Sequence, residues 1–399
     1  MAGVGMTASR RLPSLPVGVR PLVSSLFAIV AAFVAGGVFL ALRGKDPLAA
    51  YALLFSRGLG TSYGITETLI RMAPLLIVAA GLLISLRAGV WNIGIDGQLL
   101  VGALFSGVVA AEIVGRVPDP VMWLVATGAG FLGGLLWAVV PGLLRVRWGL
   151  NEIITTLMMN YVAINVTAWL VKGPVKDPAV VPPQTVLIPK EDRLPDLFGS
   201  GVHIGLVVGL VVAAIVAVLF RSTVLGFMLD VVGKNRQAAV HAGMPVGRLT
   251  MLALLLSGGF AGLAGANDVL GVKGLFQGNW NPGYGFAAFA LVYLARLNSL
   301  WIIPFAYFIS FLAIGGEMMA RPLAIPTSYV EMLDGLMLLF FAVAVFLERV
   351  FAPGVRGAAT EADLNPEVEA APSAALAGEP LAQGGGGGGP VTLGGRHGR

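Results

Sequence analysis

The chain contains no cysteine and only 12% charged residues in 399 positions, with three histidines. The missing thiols exclude disulfides, thiolate catalysis and cysteine-ligated metals, although they assign no compartment. His203, His241 and His397 lie far apart and show no metal-ligand spacing. No Gly-x-x-x-x-Gly-Lys-[Ser/Thr] occurs, so the chain carries no phosphate-cradling loop of its own. No Ser/His/Asp arrangement can be argued either, and a membrane enzyme or scaffold is a poor reading. The charge shortage is the most telling of these absences. A soluble globular chain carries about 25% charged residues. A deficit of that size over most of the length implies an apolar solvent, not a large soluble core.

What fills the chain agrees. It is 57% hydrophobic with a mean hydropathy of +0.85. Uncharged runs recur at 21–42, 121–144, 153–171, 202–220, 249–267 and 298–316. Each meets or approaches the roughly 20 residues that a spanning helix needs. Shorter or more polar segments lie at 72–86, 91–111 and 332–347, and a brief one rich in small residues at 284–295. The expectation is an all-α polytopic membrane protein with about ten transmembrane helices. The 55 glycines fit, because small residues let lipid-embedded helices approach closely. The net charge of +5 is scattered over helix ends, so nucleic acid is not an expected partner.

The organisation reads as a basic tail (1–20), a transmembrane domain (21–350) and a tail (351–399). Arg10, Arg11 and Arg20 precede an apolar run of about 22 residues, too long for a cleavable signal and without an Ala-x-Ala site. It reads as an uncleaved first helix with its basic end in the cytoplasm. Ten crossings from there put about 15 basic residues inside and 11 outside, a modest positive-inside bias. Residues 43–71 are expected as an external amphipathic helix with Tyr51, Leu54 and Phe55 on its apolar face. The proline-rich stretch 172–201 reads as an external loop, either a surface for an extracytoplasmic partner or a plain connector. After Phe351 the composition shifts to Ala, Pro, Gly and Glu, with six consecutive glycines at 384–389. Such a segment cannot bury enough apolar surface to offset chain entropy, and disorder is expected.

Four segments carry candidate chemistry. Asn92-Ile93-Gly94-Ile95-Asp96-Gly97-Gln98 sets polar groups and two glycines inside an apolar region. It reads as an interrupted helix beside a translocation path, or as an N-cap opening an ordinary helix. Next, Glu152, Thr155, Thr156, Met159, Asn160 and Ala163 share a helical arc of about 140°. That face suits an interior pathway or interhelical hydrogen bonds equally. The 278–286 stretch, with Trp280 and Tyr284, offers aromatics for stacking on a planar ligand or for an interfacial belt. Asp96, Glu317 and Asp334 are ionisable groups within or at the edge of spans.

The fourth is 221–248, the longest strongly polar interruption in the second half. Gln237-Ala238-Ala239-Val240-His241-Ala242-Gly243 forms a small-residue, helix-capable core flanked by Lys234, Arg236 and Arg248. Gly243 can end a short helix, and small side chains allow another protein to approach.

In their order, 91–98, 149–161, 233–243 and 283–296 resemble permeases of the branched-chain amino acid and simple-sugar ABC importer superfamily. The nucleoside-type branch, which pairs with a basic-membrane-protein-like binding lipoprotein, is the most similar. Asp96 stands where glutamate is common, and Gln237 likewise. The resemblance implies a permease subunit of an ATP-driven importer in the bacterial plasma membrane, moving a nucleoside or similar small polar metabolite by alternating access. It implies a separate ATP-binding subunit, a second permease subunit and an external binding lipoprotein, with no cofactor in this chain and no catalysis by it. Gly233, Asn235, Gln237, Ala238, Ala239, His241 and Gly243 would couple to the ATPase. Asn92, Asp96, Gln98, Glu152, Thr155, Thr156, Asn160, Trp280 and Tyr284 would line the substrate route. An autonomous secondary transporter driven through Asp96, Glu317 or Asp334 is the competing reading, and an ABC permease for sugars or branched-chain amino acids the nearer alternative.

Overall fold

A computed structural model describes residues 20–326 and 328–351. The readings made above for the N-terminal tail and the 352–399 stretch fall outside them. Thirteen α-helices follow in order. They are α1 (Arg20–Leu42), α2 (Pro47–Gly58), α3 (Ser62–Arg87), α4 (Ile95–Ile113), α5 (Asp119–Trp148), α6 (Glu152–Lys172) and α7 (Gly205–Ser222). Then come α8 (Val224–Lys234), α9 (Arg236–His241), α10 (Val246–Asp268), α11 (Tyr284–Leu294), α12 (Ile302–Leu323) and α13 (Ser328–Phe351). Among the described residues nine helices are long and apolar enough to span a membrane, and α11 is a shorter apolar one. The chain is thus an all-α, multi-pass membrane protein. A second compact unit begins at Leu347, of which only the end of α13, 347–351, is described.

Local chemistry sets the helix ends. Asp46 accepts from Leu48 N at 2.9 Å and starts α2, and Thr61 does the same for α3 through Gly64 N at 3.0 Å. Asn151, Thr223 and Asn235 cap α6, α8 and α9. Side-chain oxygens here satisfy amides that a helix start leaves orphaned.

Residues 43–71 do not form one external helix. The strand of sequence breaks at Leu59–Thr61, and Ser62 onward belongs to α3, whose polar first third hides its length from hydropathy. The apolar face proposed for this region is real on α2: Leu54 is buried, and Phe55 packs against Phe33 and Phe311. Tyr51 donates to the Phe33 carbonyl at 2.6 Å.

The middle of the bundle is α3, buried continuously from Met72 to Leu86. A helix apolar on all sides belongs inside. It contacts α7, α10, α11 and α12. On one flank α4, α5 and α10 meet through glycines. A Cβ at Gly262 would strike the Gly130 carbonyl, one at Gly134 the Gly258 carbonyl, and one at Gly102 the Gly262 backbone. Lipid supplies no hydrophobic drive between helices, so this close packing must hold them together. At the end of the bundle opposite α8 and α9, the 173–204 loop is tied to the segment after α10. Ile188 N donates to Gly274 O at 2.7 Å, Leu194 N to Leu270 O at 3.0 Å, and Trp123 Nε1 reaches Asp192 O at 2.8 Å.

The glycine contact is testable. Gly262→Val should cost roughly 1–3 kcal/mol or more through overpacking and sharply lower the yield of monodisperse protein from membranes. Gly128→Ala should leave the yield unchanged, because a Cβ there meets nothing within 4 Å.

Candidate functional site

The interruption expected near Asn92 is present, and its construction is specific. Helix α3 stops at Arg87, whose guanidinium grips Asp230 of α8, with Nε to Oδ1 at 2.7 Å, and stacks over Phe220 at 4.0 Å. Gly89 turns with φ +71°, and Gly233 packs so tightly against it that a Cβ on Gly233 would hit the Arg87 carbonyl. The chain then climbs without regular structure to Ile95, where α4 begins.

Several backbone groups around that climb meet side chains. Thr156 Oγ1 accepts from Ile93 N at 3.1 Å. Asn160 accepts from Gly97 N at 2.8 Å and donates to Ile93 O at 2.7 Å. Asn92 and Gln98 pair amide to amide, at 2.8 and 3.1 Å, and Asn92 also donates to Ser257 Oγ at 2.9 Å. Both amides are buried. In this conformation they face each other, not an open route.

Asp96 joins this knot to the second half of the chain. Its Oδ1 accepts from Gly285 N at 2.9 Å, in the first turn of α11, while Asp96 itself sits in the first turn of α4. Two positive helix ends thus converge on one carboxylate. Helix α11 is 11 residues long, about 16 Å at 1.5 Å per residue, or half of a ~30 Å hydrocarbon core. It is too short to cross that core alone, and its start lies buried in the bundle beside Asp96.

Directly above that point a cavity of about 600 Å³ opens towards the end opposite α8 and α9. Glu67, Glu317, Glu331 and Asp334 face Arg71 and Arg321 across it, with Tyr284 at the bottom. Arg71 bridges α3 to α12 through Glu317 at 3.1 Å and lies over the Tyr284 ring at 5.7 Å. Asp334 is buried with Oδ1 unpartnered, and Asp268 lies buried beside Tyr284.

Of the residues singled out from sequence, Thr156, Asn160, Asp96, Asn92 and Gln98 form one connected knot, and Tyr284 belongs to the cavity. Glu152 pairs with Arg145 at 3.2 Å where α5 turns into α6, and Thr155 bonds back to the Glu152 carbonyl at 3.3 Å. Trp280 packs edge-on against Phe276 and under Lys273, away from the knot. Arg71, Glu67 and Asp268 were missed. Arg71 was hidden by the misread start of α3, and Asp268 by its place at the end of a span, although the Asn267-Asp268 pair was a signal.

The polar loop is a pair of short helices. Asn235 separates α8 from α9 and caps α9 through Ala238 N at 2.9 Å. Gly243 follows with φ +72°, the left-handed backbone a short helix needs to stop. Gln237, Ala238, Val240 and His241 are exposed. Ala239 is not: it is 0% exposed, packed within its own chain. Ala239 thus packs beneath the exposed face of the loop, whereas Gly233 is exposed and its backbone approaches Arg87 and Gly89.

At the opposite end, His203 is buried just before α7, and its Nδ1 accepts from Gly205 N at 3.1 Å. Burial, partly offset by Asp196, pushes the imidazole from 6.5 down to about 4. Between those values the unfolded chain binds a proton that the folded chain refuses, so stability falls as pH drops from 6.5 towards 4. His203→Gln should flatten the fall in thermal midpoint over that window in detergent. Equal slopes for both proteins would show that the buried imidazole is not held neutral.

Residues 64–342 match the family described as the branched-chain amino acid transport system / permease component. The chain is similar to the glucose ABC transporter permease protein TsgB13 of Haloferax volcanii, 34% identical over 81% of this chain and 88% of that protein. It is 30% identical to the guanosine ABC transporter permease protein NupP of Bacillus subtilis, over 80% of this chain and 93% of that one. The nucleoside ABC transporter permease protein NupB of Lactococcus lactis is 28% identical, over 82% and 93%.

Proposed function

The chain belongs to the branched-chain amino acid transport system permease family, and for this ABC permease subunit of the cell membrane we propose a nucleoside, or a chemically similar polyol, as cargo. The observation that carries the cargo reading is the lining of the 600 Å³ cavity. Its size lies within the 300–1,000 Å³ usual for small-molecule sites. Carboxylates accept hydrogen bonds from adjacent sugar hydroxyls, and the arginines donate to ring oxygens or carbonyls. The glucose and guanosine named for the relatives share the hydroxyl-rich half of that description. Four carboxylates against two arginines disfavour an anionic solute.

Energy enters at the other end. The exposed Gln237, Ala238, Val240 and His241 dock into a separate ATP-binding subunit, and this chain hydrolyses no ATP and holds no cofactor. A second permease subunit packs on the exposed face of α6, where Ile154, Met158 and Tyr161 are bare. The 173–204 loop receives an external binding lipoprotein, which supplies most of the specificity. Displacement of α8 is transmitted through the Arg87–Asp230 grip to the end of α3 and to the interruption. From there it reaches Asp96, the start of α11 and Tyr284 at the cavity floor. The external mouth, tied by Arg71 and Glu317, opens and closes against that movement.

Two experiments test this. Arg71→Met and Asp334→Asn should each reduce ATP-driven uptake in the reconstituted transporter by about ten-fold or more, ~1.4 kcal/mol, at unchanged assembly with the ATPase. Unchanged uptake would show that the cargo takes another route, and uptake driven by an ion gradient without any ATPase would remove the importer mechanism itself. In the naturally cysteine-free chain, cysteines at Ala238 or His241 should crosslink to the ATPase, whereas one at Ala239 should stay unreactive. Labelling of Ala238 only from outside intact cells would invert the topology.

A further inference from the structure

The second large cavity lies at the loop end and takes no part in the cargo route. It has a volume of about 830 Å³, between the ends of α3 and α7, the end of α8 and the turn joining α11 to α12. Its charged lining is one-sided: Arg87, Arg221, Lys234 and Arg296 against the single carboxylate Asp230. Arg87 and Asp230 already grip each other, so they close the inner wall. Arg296 stacks over Phe341 at 5.8 Å, and Arg221 and Lys234 are exposed at the rim.

The opposite wall is apolar. Ala214, Ala217 and Val218 of α7 line it, and Val218 is 57% exposed. From there a bare stripe runs back along α7 through Ile215 and Val211, 55% and 50% exposed, into the depth of the membrane. These positions fall on one helical face. Leu300 and Trp301 stand exposed beside the cavity at the start of α12, the level where tryptophan marks a membrane interface.

A soluble phosphate would need the cations but not the apolar wall, and a neutral lipid would need the wall but not the cations. We propose that this cavity binds the phosphate headgroup of an anionic phospholipid from the leaflet on the loop side, with an acyl chain lying along Val218, Ile215 and Val211. The small side chains of Ala214 and Ala217 leave the groove that the chain enters. Because Gly233 and the Arg87–Asp230 grip share the lining, the bound lipid stiffens the base of the coupling loop.

The test uses the full transporter assembled with its ATPase and reconstituted in mixed phosphatidylglycerol and phosphatidylcholine nanodiscs. Lipid retained through detergent extraction is read by native mass spectrometry. Wild type should retain phosphatidylglycerol preferentially. The Arg221→Gln/Lys234→Gln variant, both positions exposed, should hold it about thirty-fold more weakly, which is ~2 kcal/mol for two basic residues at a membrane surface. Ala217→Phe should also lose the lipid while keeping every charge. Equal retention of the two lipids by wild type overturns the proposal, as it would if an acidic group of the ATPase filled the cavity. Displacement by millimolar inorganic phosphate would assign the site to a soluble anion and overturn the lipid reading. An undiminished preference in both variants would place the lipid elsewhere.

Discussion

The interruption between α3 and α4 dictates much of the rest of this bundle. A chain that loses its helix inside an apolar medium leaves amide and carbonyl groups that water cannot reach, each worth several kcal/mol if unsatisfied. The protein answers with side chains from other helices. Thr156 and Asn160 of α6 bond the backbone of Ile93 and Gly97, and Asn92 locks Gln98 to Ser257 of α10. The partners must stay in register with one another, so the positions of α4, α6 and α10 follow from the needs of seven irregular residues. A polar stretch that looks like a weakness in hydropathy is therefore the point about which helices are fixed.

Asp96 extends the same constraint across the molecule. Glutamate there would carry the carboxylate one methylene further from the chain. A Cβ on Gly285 would already sit at 2.6 Å from Asp96 Oδ2, so little space remains for a longer side chain as the structure stands. The shorter acid and the glycine are thus a matched pair. With its carboxylate between the starts of α4 and α11, Asp96 serves both helix ends with one charge, which lessens the cost of burying it.

Much of this was legible in sequence, and the reasons for success and failure differ. Long apolar runs gave the spanning helices because length and composition alone decide that property. The stop at Gly243 follows from local chemistry, which sequence displays directly. The partner of a buried polar group is a different matter. Nothing in the spacing of Asn160 says that it faces Ile93 from 67 positions away, so an arc shared with Thr156 fitted a water-filled route as well as a bonded seam. Ala239 shows a similar limit: its small size suits close approach by any neighbour, and only the tertiary packing says that its own chain surrounds it here. Arg71 lay beyond reach because a charged residue ahead of an apolar run reads as a connector until a helix is seen to start nine residues earlier.

The two flanks of α3 differ in a way that bears on movement. On the side of α4, α5 and α10, backbones approach closely at Gly102, Gly130, Gly134 and Gly262, leaving no room for a side chain between them. On the other side the α3–α12 contact includes a long side-chain pair, Arg71–Glu317, and α13 meets α2 through Tyr51–Tyr329. Such side chains can change rotamer at small cost, whereas a backbone contact cannot. The cavity lies entirely on the second flank. Alternating access would then require α11, α12 and α13 to move against a fixed block of α4, α5 and α10, with Asp96–Gly285 as the joint between them. A hydrogen bond from a backbone amide to a carboxylate suits that task, because it keeps its partners through a change of angle that a packed glycine seam would not survive.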